Sequence, residues 1–546
     1  FGTCWTFGTI AAAETTLMTQ MDIPVNEDGS DPIDLSERHL GWFTYMPHVG
    51  TIQDGEGTMA VNEDFTGPST DPKVVLNQGG LFMQAASMLK SGVGVFPESM
   101  APYSPDEMAD IDVAHIVELC RGKDLNDEAV LEELRQDKEF AAAEPYIMIT
   151  NDGTTIASWN DEGTWAIDEQ YHYNCAFLLK ETRVLPVPAY GDPVGVNAIK
   201  KELSEGRAVT IAYFADDFLP TQSLEDLDRN VYMHFNDDGT WAQYTYDSDT
   251  GSNHAVCVIG WDDTFPAENF NDDPALCPPG DGAWIVKNSW GAAENDFPQH
   301  GHRNGWGTNG TGYFYLSYYD RSVDEAETMI FDLDALKDQE SYIIDENDFM
   351  VGMSMTLELP DVFTNLASAN VFTAELDQRL KSVGVDVSST SPARVTIDVY
   401  RLNDGFKNPV DGELVDTVNL ETEYAGFKRV NLNNPVDLDK GDTYSIVVKE
   451  VKLPTNDLGM EKSVISIQHG LNLETIKSAN EIYMDKAGED AEPVLTNYSV
   501  GVVNPGESFI RVGDVWIDLC NAISDSHAFA DSLIQSSAKQ TAGWEP

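Results

Sequence analysis

The chain has 546 residues, with 93 Asp and Glu against 32 Lys and Arg, for a formal charge of −61. A surface this acidic repels a phosphate backbone, which excludes nucleic acid as a ligand class. No apolar run approaches the roughly 18–20 residues that would span a bilayer as a helix. The length calls for two or three domains, and a hydrophobic content of 42% supplies their cores.

The first predicted element is a helix. Phe1-Gly2-Thr3-Cys4-Trp5-Thr6-Phe7-Gly8 leads into Ile10-Ala11-Ala12-Ala13-Glu14, and Ile10, Ala13, Leu17 and Met21 recur at helical spacing. Cys4 therefore stands at a helix N-terminus, where the macrodipole favours the thiolate, the nucleophilic form. Further on, residues 104–190 hold an acidic helical run, Leu125 to Ala143, then turn-rich Asn151-Asp152-Gly153 and Asp161-Glu162-Gly163. Residues 216–252 pass through Asn236-Asp237-Asp238-Gly239 to Asp247-Ser248-Asp249. Both stretches read as surface insertions, open to capping a cleft, binding a partner or doing neither. Their aspartates do not complete a calcium loop with its terminal bidentate Glu, and no Cys or His pair has zinc spacing. No metal and no cofactor is expected.

Two apolar runs follow, Ser252-Asn253-His254-Ala255-Val256-Cys257-Val258-Ile259-Gly260-Trp261 and Trp284-Ile285-Val286-Lys287-Asn288-Ser289-Trp290-Gly291. Each reads as a buried strand with a polar residue near one end. A thiol nucleophile needs a base, and the base needs an orienter. His254 and Asn288 are the candidates for those two tasks. After Asp320-Arg321 the pattern turns to period two: Val383, Val385, Val387; Val395, Ile397, Val399; Tyr444, Ile446, Val448. Turn signals such as Asn403-Asp404-Gly405 and Lys440-Gly441-Asp442 bound these runs, which predicts an antiparallel β-sandwich over 335–520. Residues 521–546 are polar and read as a linker or tail. Of six cysteines, Cys257 sits in an apolar strand and reads as buried and reduced. Cys120, Cys175, Cys277 and Cys520 leave room for up to two bridges, with the pairing open.

The Cys-Trp, His-Ala-Val and Lys-Asn-Ser-Trp-Gly segments, in that order, resemble the papain family of cysteine peptidases. Asp34-Leu35-Ser36-Glu37-Arg38, Asn77-Gln78-Gly79-Gly80, Gly305-Trp306-Gly307 and Gly312-Tyr313-Phe314 are similar to further family segments. The resemblance covers residues 1–325 and implies an α+β peptidase with a helical lobe and a β-barrel lobe. It implies Cys4 as nucleophile, His254 as its imidazolium partner and acid, and Asn288 as the orienter. Trp290 would shield the His–Asn bond, and the Cys4 N–H would serve the oxyanion hole. Gly79 and Gly80 would let substrate backbone pair closely. Leu81, Phe82 and Val209 match positions around the pocket for the second acyl-side residue, P2, with an apolar preference expected. The family's oxyanion-hole Gln falls ahead of residue 1, outside this sequence, as would a signal peptide or propeptide. The interval from Cys4 to His254 exceeds the family's by about 100 residues, which the two insertions absorb.

Ala369–Ala374, Glu423-Tyr424-Ala425-Gly426-Phe427 and Gly441-Asp442 ahead of Tyr444–Val448 resemble the lectin-like domain behind papain-like peptidases of some anaerobic bacteria and archaea. Fold does not establish sugar binding. The expected function is a secreted or cell-surface peptidase with a β-sandwich that targets it to a surface glycan or protein. The alternative is a surface adhesion protein with a weak or inactive peptidase domain. Acyl transfer to an amine would use the same residues.

Overall fold

The computed structural model describes residues 2–26, 32–47, 55–62, 64–103, 119–120, 123, 128–143, 147–149, 155–157, 165–218, 229–292, 305–334, 354–388, 392–454, 459–468, 472–487, 496–501 and 504–520. The opening run forms a helix, Cys4–Met21, on which Ile10, Ala13 and Leu17 are fully buried. On one side it meets a helical lobe. There Ser36 caps the helix Glu37–Thr44 by accepting the His39 N–H, and Phe82–Lys90 follows the Gly79-Gly80 loop. Trp5, Leu40, Phe43, Leu76, Phe82 and Met88 share the core between these pieces.

On its other side the helix meets a ten-stranded sheet. Its order is Gln378–Val387, Gly426–Leu438, Leu178–Val184, Glu325–Asp332, Val209–Tyr213, His254–Asp262, Ala283–Lys287, Tyr313–Ser317, Trp241–Gln243 and Met233–Phe235. The approach is close because Gly8 has no side chain: a Cβ there would lie 3.2 Å from Thr210 Cγ2 and 3.4 Å from the Val256 carbonyl. The Thr210 hydroxyl donates to the Gly8 carbonyl at 3.1 Å across that contact. One glycine, one turn after Cys4, thus brings the helix start onto the strand that carries His254.

The two expected surface insertions are in good part interior. In the first, Glu128–Leu134 and Lys138–Ala143 are helical, while the Asn151 and Asp161 turns lie outside the described residues. From Trp165 onward the segment is packed. Trp165 is 1% exposed, Arg38 donates to the carbonyls of Trp165 and Ala166, and Leu178–Val184 is a central strand. In the second, Met233–Phe235 and Trp241–Gln243 close the far edge of the sheet around the Asn236–Gly239 turn, and Asp216 is buried against Arg229. Sequence reading missed this because acidic turns, which are solvated, alternate there with short buried strands. The room left for up to two bridges is not used: none of the six cysteines is in a disulfide.

The C-terminal strands form an eight-stranded sheet with an antiparallel pair, Gln378–Val387 and Gly426–Leu438, stacked on it. Val383, Val385, Val387, Val395, Ile397 and Val399 fill the layer between. This pair belongs equally to the peptidase-lobe sheet. Lys428 pairs with Glu181 in the strand ladder, Phe427 N–H donates to the Thr182 hydroxyl at 2.9 Å, and Lys428 Nζ donates to the Thr182 carbonyl at 2.7 Å. One sheet therefore runs through both domains. The tail 521–546 lies outside the described residues.

Buried histidine gives the helical lobe a pH response. His39 is fully buried, stacks on Phe96 at 4.3 Å, and donates from Nε2 to the Tyr171 carbonyl at 2.8 Å. Its Nδ1 has no partner among the described residues. Burial lowers its pKa from 6.5 to about 4. The folded state thus resists protonation that the unfolded chain accepts, so this group's stabilisation is complete above pH 6.5 and lost as pH falls toward 4. A shift of this size corresponds to about 3 kcal/mol. Urea unfolding of wild type and His39→Phe across pH 4–7 is expected to show the wild type losing that much more than the variant. Parallel pH profiles would refute it.

Candidate active site

Cys4 is the first residue of its helix. The Thr3 hydroxyl, which could have capped that helix, pairs instead with the Tyr103 hydroxyl at 2.6 Å. The backbone N–H groups of Cys4 and Trp5, and of Ala255 on the facing strand, lie near the thiol and favour its charged form. Burial is the larger influence and pushes the thiol up despite these three donors. The helix terminus alone therefore does not produce the thiolate that the sequence suggested. A proton acceptor has to be beside it, and Ala255 is the neighbour of His254.

His254 starts the strand His254–Asp262 and is 8% exposed. Its Nε2 lies 2.8 Å from Asn288 Oδ1. The same oxygen accepts the Ser289 N–H at 2.7 Å, which identifies it as the oxygen of the amide. Nε2 must then carry the hydrogen, leaving Nδ1 as the basic nitrogen of the neutral ring. The Trp290 ring lies over the imidazole, centroids 4.8 Å apart, and Trp306 meets Trp290 edge-on at 5.3 Å. Two indoles thus roof the His–Asn bond. Asn288 is held in turn by its N–H to the Gly312 carbonyl at 3.0 Å.

Across the helix start lies the glycine loop. Gly2 N–H donates to Asn77 Oδ1 at 2.8 Å, and the Tyr45 hydroxyl donates to the Gly79 carbonyl at 2.8 Å. Gly79 has φ +70°, a conformation that favours glycine. A Cβ on Gly80 would overlap the Trp5 ring, so the indole next to the nucleophile packs directly on this backbone. Leu81 follows, 46% exposed.

Two of the four subsite candidates, Phe82 and Val209, are placed elsewhere. Phe82 is 3% exposed within the helical-lobe core. Val209 is fully buried and opposes Val258, well below His254. The residues level with the imidazole are Tyr213, opposite His254, and Ala212, opposite Ala255. Next to Ala212 stands Glu325, about 10 Å or two strand spacings from the His254 strand. Its carboxylate accepts the Phe82 N–H from the opposite lobe, and burial raises its pKa. Glu327, on the same strand face, is 8% exposed; desolvation, with Glu325 nearby, holds its carboxyl well above the ordinary range. Sequence reading missed both glutamates among the chain's many acidic residues. Their signal was alternation within an apolar strand, Glu325-Ala326-Glu327-Thr328-Met329. No grouping of three His, Cys, Asp or Glu suited to a metal occurs among the described residues.

The layers define the class: a papain-like two-lobe peptidase fold joined to a lectin-like β-sandwich. Residues 350–499 match the family model for the lectin like domain. Two solved structures of one protein share the whole arrangement. The clostridial cysteine protease Cwp84, in a variant form after propeptide cleavage, is 18% identical with a TM-score of 0.51, over 95% of this chain and 90% of that one. The cysteine protease and lectin-like domains of Cwp84, a surface layer associated protein of Clostridium difficile, are 17% identical with a TM-score of 0.51, over 96% and 82%. No curated protein sequence matches. No helix among the described residues is long and apolar enough to cross a membrane.

Proposed function

We propose that the chain is a cysteine peptidase working through Cys4, His254 and Asn288. The observation that carries this reading is the His254 Nε2–Asn288 Oδ1 bond under Trp290, on the strand whose Ala255 backbone lies near the Cys4 thiol. The Cys4 proton moves to His254 Nδ1, and the pair stays neutral as a whole, so burial opposes the ion pair less than a lone thiolate. The sulfur attacks the scissile carbonyl carbon. The oxygen takes the negative charge and accepts the Cys4 N–H. His254 then protonates the leaving amine nitrogen as the C–N bond breaks. Water, deprotonated by the same imidazole, attacks the acyl-enzyme and releases the acid and Cys4. Hydrolysis of a peptide library that disappears in Cys4→Ala tests the reading; unchanged hydrolysis overturns it.

Specificity follows from the strand beside Ala212. A P2 side chain entering there meets Leu81 on one wall and the Glu325–Glu327 face on the other. An arginine or lysine would supply the countercharge to two carboxylates whose pKa burial raises. P2 Arg or Lys is therefore expected to exceed P2 Asp by at least about 10-fold in kcat/KM, and Glu325→Gln is expected to remove most of that preference. Equal rates for all P2 residues, or a preference untouched by Glu325→Gln, would exclude these carboxylates. An apolar preference at P2, the expectation from sequence, is the competing outcome of the same substrate series.

Extracellular or surface location and a targeting role for the sandwich are part of the same proposal. They are supported by the acidity of the chain and by the surface-layer association of Cwp84. One observation favours the adhesion alternative: burial holds an isolated Cys4 in its thiol form. Whether His254 overcomes this decides between the two.

A further inference from the structure

The lectin-like domain sends an arm back to the peptide cleft. The arm consists of the helix Leu473–Ala487 and the strand Asn497–Val500. The strand pairs antiparallel with Gly57–Ala60 of the helical lobe, Val500 opposite Gly57 and Asn497 opposite Ala60. Ile476 and Tyr498 are buried there against Met59 and Val61, and Val61 N–H donates to the Thr496 carbonyl at 2.8 Å. The arm ends on Gln78, the residue before Gly79-Gly80. The Thr496 hydroxyl donates to Gln78 Oε1 at 2.8 Å, and Asn497 Nδ2 adds a longer bond at 3.4 Å. Gln78 Nε2 in turn donates to the Val74 carbonyl at 2.8 Å.

The loop needs such ties. It is a short link between the helices Pro72–Val75 and Phe82–Lys90, with two consecutive glycines, which are costly to order. Besides the local bond from Gln78 to Val74, it has side-chain-mediated anchors from three different places. Asn77 is fixed from the nucleophile's own segment through Gly2, the Gly79 carbonyl from Tyr45, and Gln78 from the arm. Sequence separation between Thr496 and Gln78 is 418 residues, so this contact exists only when the second domain is docked.

We infer that Thr496 and Asn497 are positioning residues of the peptidase, which hold the Gly79-Gly80 backbone ready for substrate through Gln78. The inference rests on the peptidase reading for its kinetic consequence, but the ordering of the loop is measurable without it. The C-terminal domain is then a structural part of the cleft as well as an appendage to it, and a peptide long enough to lie along Gly80 depends on it.

The test is the full chain carrying Thr496→Val with Asn497→Leu, which remove the donors at similar volume. Hydrogen exchange at residues 77–81 is expected to accelerate several-fold, with the Cys4–Met21 helix unchanged. KM for a peptide with three acyl-side residues is expected to rise about 5-fold or more, with kcat retained, as for the loss of one to two hydrogen bonds. An ester carrying only the first acyl-side residue is expected to be hydrolysed as by wild type. Thr496→Ser, which keeps the hydroxyl, is expected to behave as wild type. Unchanged exchange at 77–81, or equal loss on the long and short substrates, would overturn the inference. If neither substrate is cleaved by wild type, the peptidase reading fails and exchange alone decides the positioning role.

Discussion

His254→Ala is expected to abolish selective alkylation of Cys4 at pH 5. In the wild type, limiting iodoacetamide should label Cys4 at least about 100-fold faster than any other cysteine, because an unperturbed thiol is well under 1% thiolate at that pH. The competitors are poorly placed. Burial pushes Cys257 up to about 12 and also raises Cys277. Cys4 is itself raised by burial, so any reactivity at pH 5 has to come from proton transfer to His254. Removing the imidazole leaves a thiol with donors on it but no acceptor for its proton, and labelling should fall to the level of the other five. Peptide hydrolysis should fall by about 10³-fold or more with it. Asn288→Ala keeps the ring but frees its orientation, and should lose part of both signals. Labelling spread evenly over the six cysteines in the wild type would end the peptidase reading and leave the adhesion alternative.

The three residues of that prediction were legible because each sits in a segment whose periodicity differs from its surroundings: a thiol before an amphipathic helix, and two polar residues at the ends of apolar strands. The pocket was less legible. Which residue of that strand stands level with the imidazole is a matter of register, and register depends on the facing strand, which sets Ala212 against Ala255 and Val209 against Val258. Glu325 and Glu327 were hidden by composition, since among 93 acidic residues a carboxylate carries little information until its burial is known. The segments from 165 and from 229 looked like loops because their strands are short and their turns acidic. The tie between Thr496 and Gln78 leaves no local trace, because its partners are brought together only by domain docking.

The junction motif Glu423-Tyr424-Ala425-Gly426-Phe427 shows what such a segment is for, and Gly426→Ala should expose it. Gly426 has φ +114°, and a Cβ there would lie 2.6 Å from the Thr182 carbonyl oxygen and 2.7 Å from its hydroxyl. The obstacle is backbone of a central strand, so relief means separating the two strands. That would break the Phe427 N–H bond to Thr182 and strip Lys428, 5% exposed, of its Thr182 carbonyl. Tyr424 and Phe427, packed into the two peptidase cores on either side, would be pulled with it. Backbone strain of about 1–3 kcal/mol and a weakened buried charge of about 3 kcal/mol or more should sum to several kcal/mol. Gly441→Ala is the control. It has φ +96° but nothing within 4 Å of its Cβ, so it reports strain without the clash. Calorimetry of Gly426→Ala is expected to show the melting temperature lowered by about 5 °C, or the single transition split into two as the domains uncouple, whereas Gly441→Ala shifts it by about 1–2 °C. Equal shifts for the two variants would mean that the strand junction does not hold the domains together. A split transition would also loosen the Thr496–Gln78 tie, because the same docking presents the arm to the cleft.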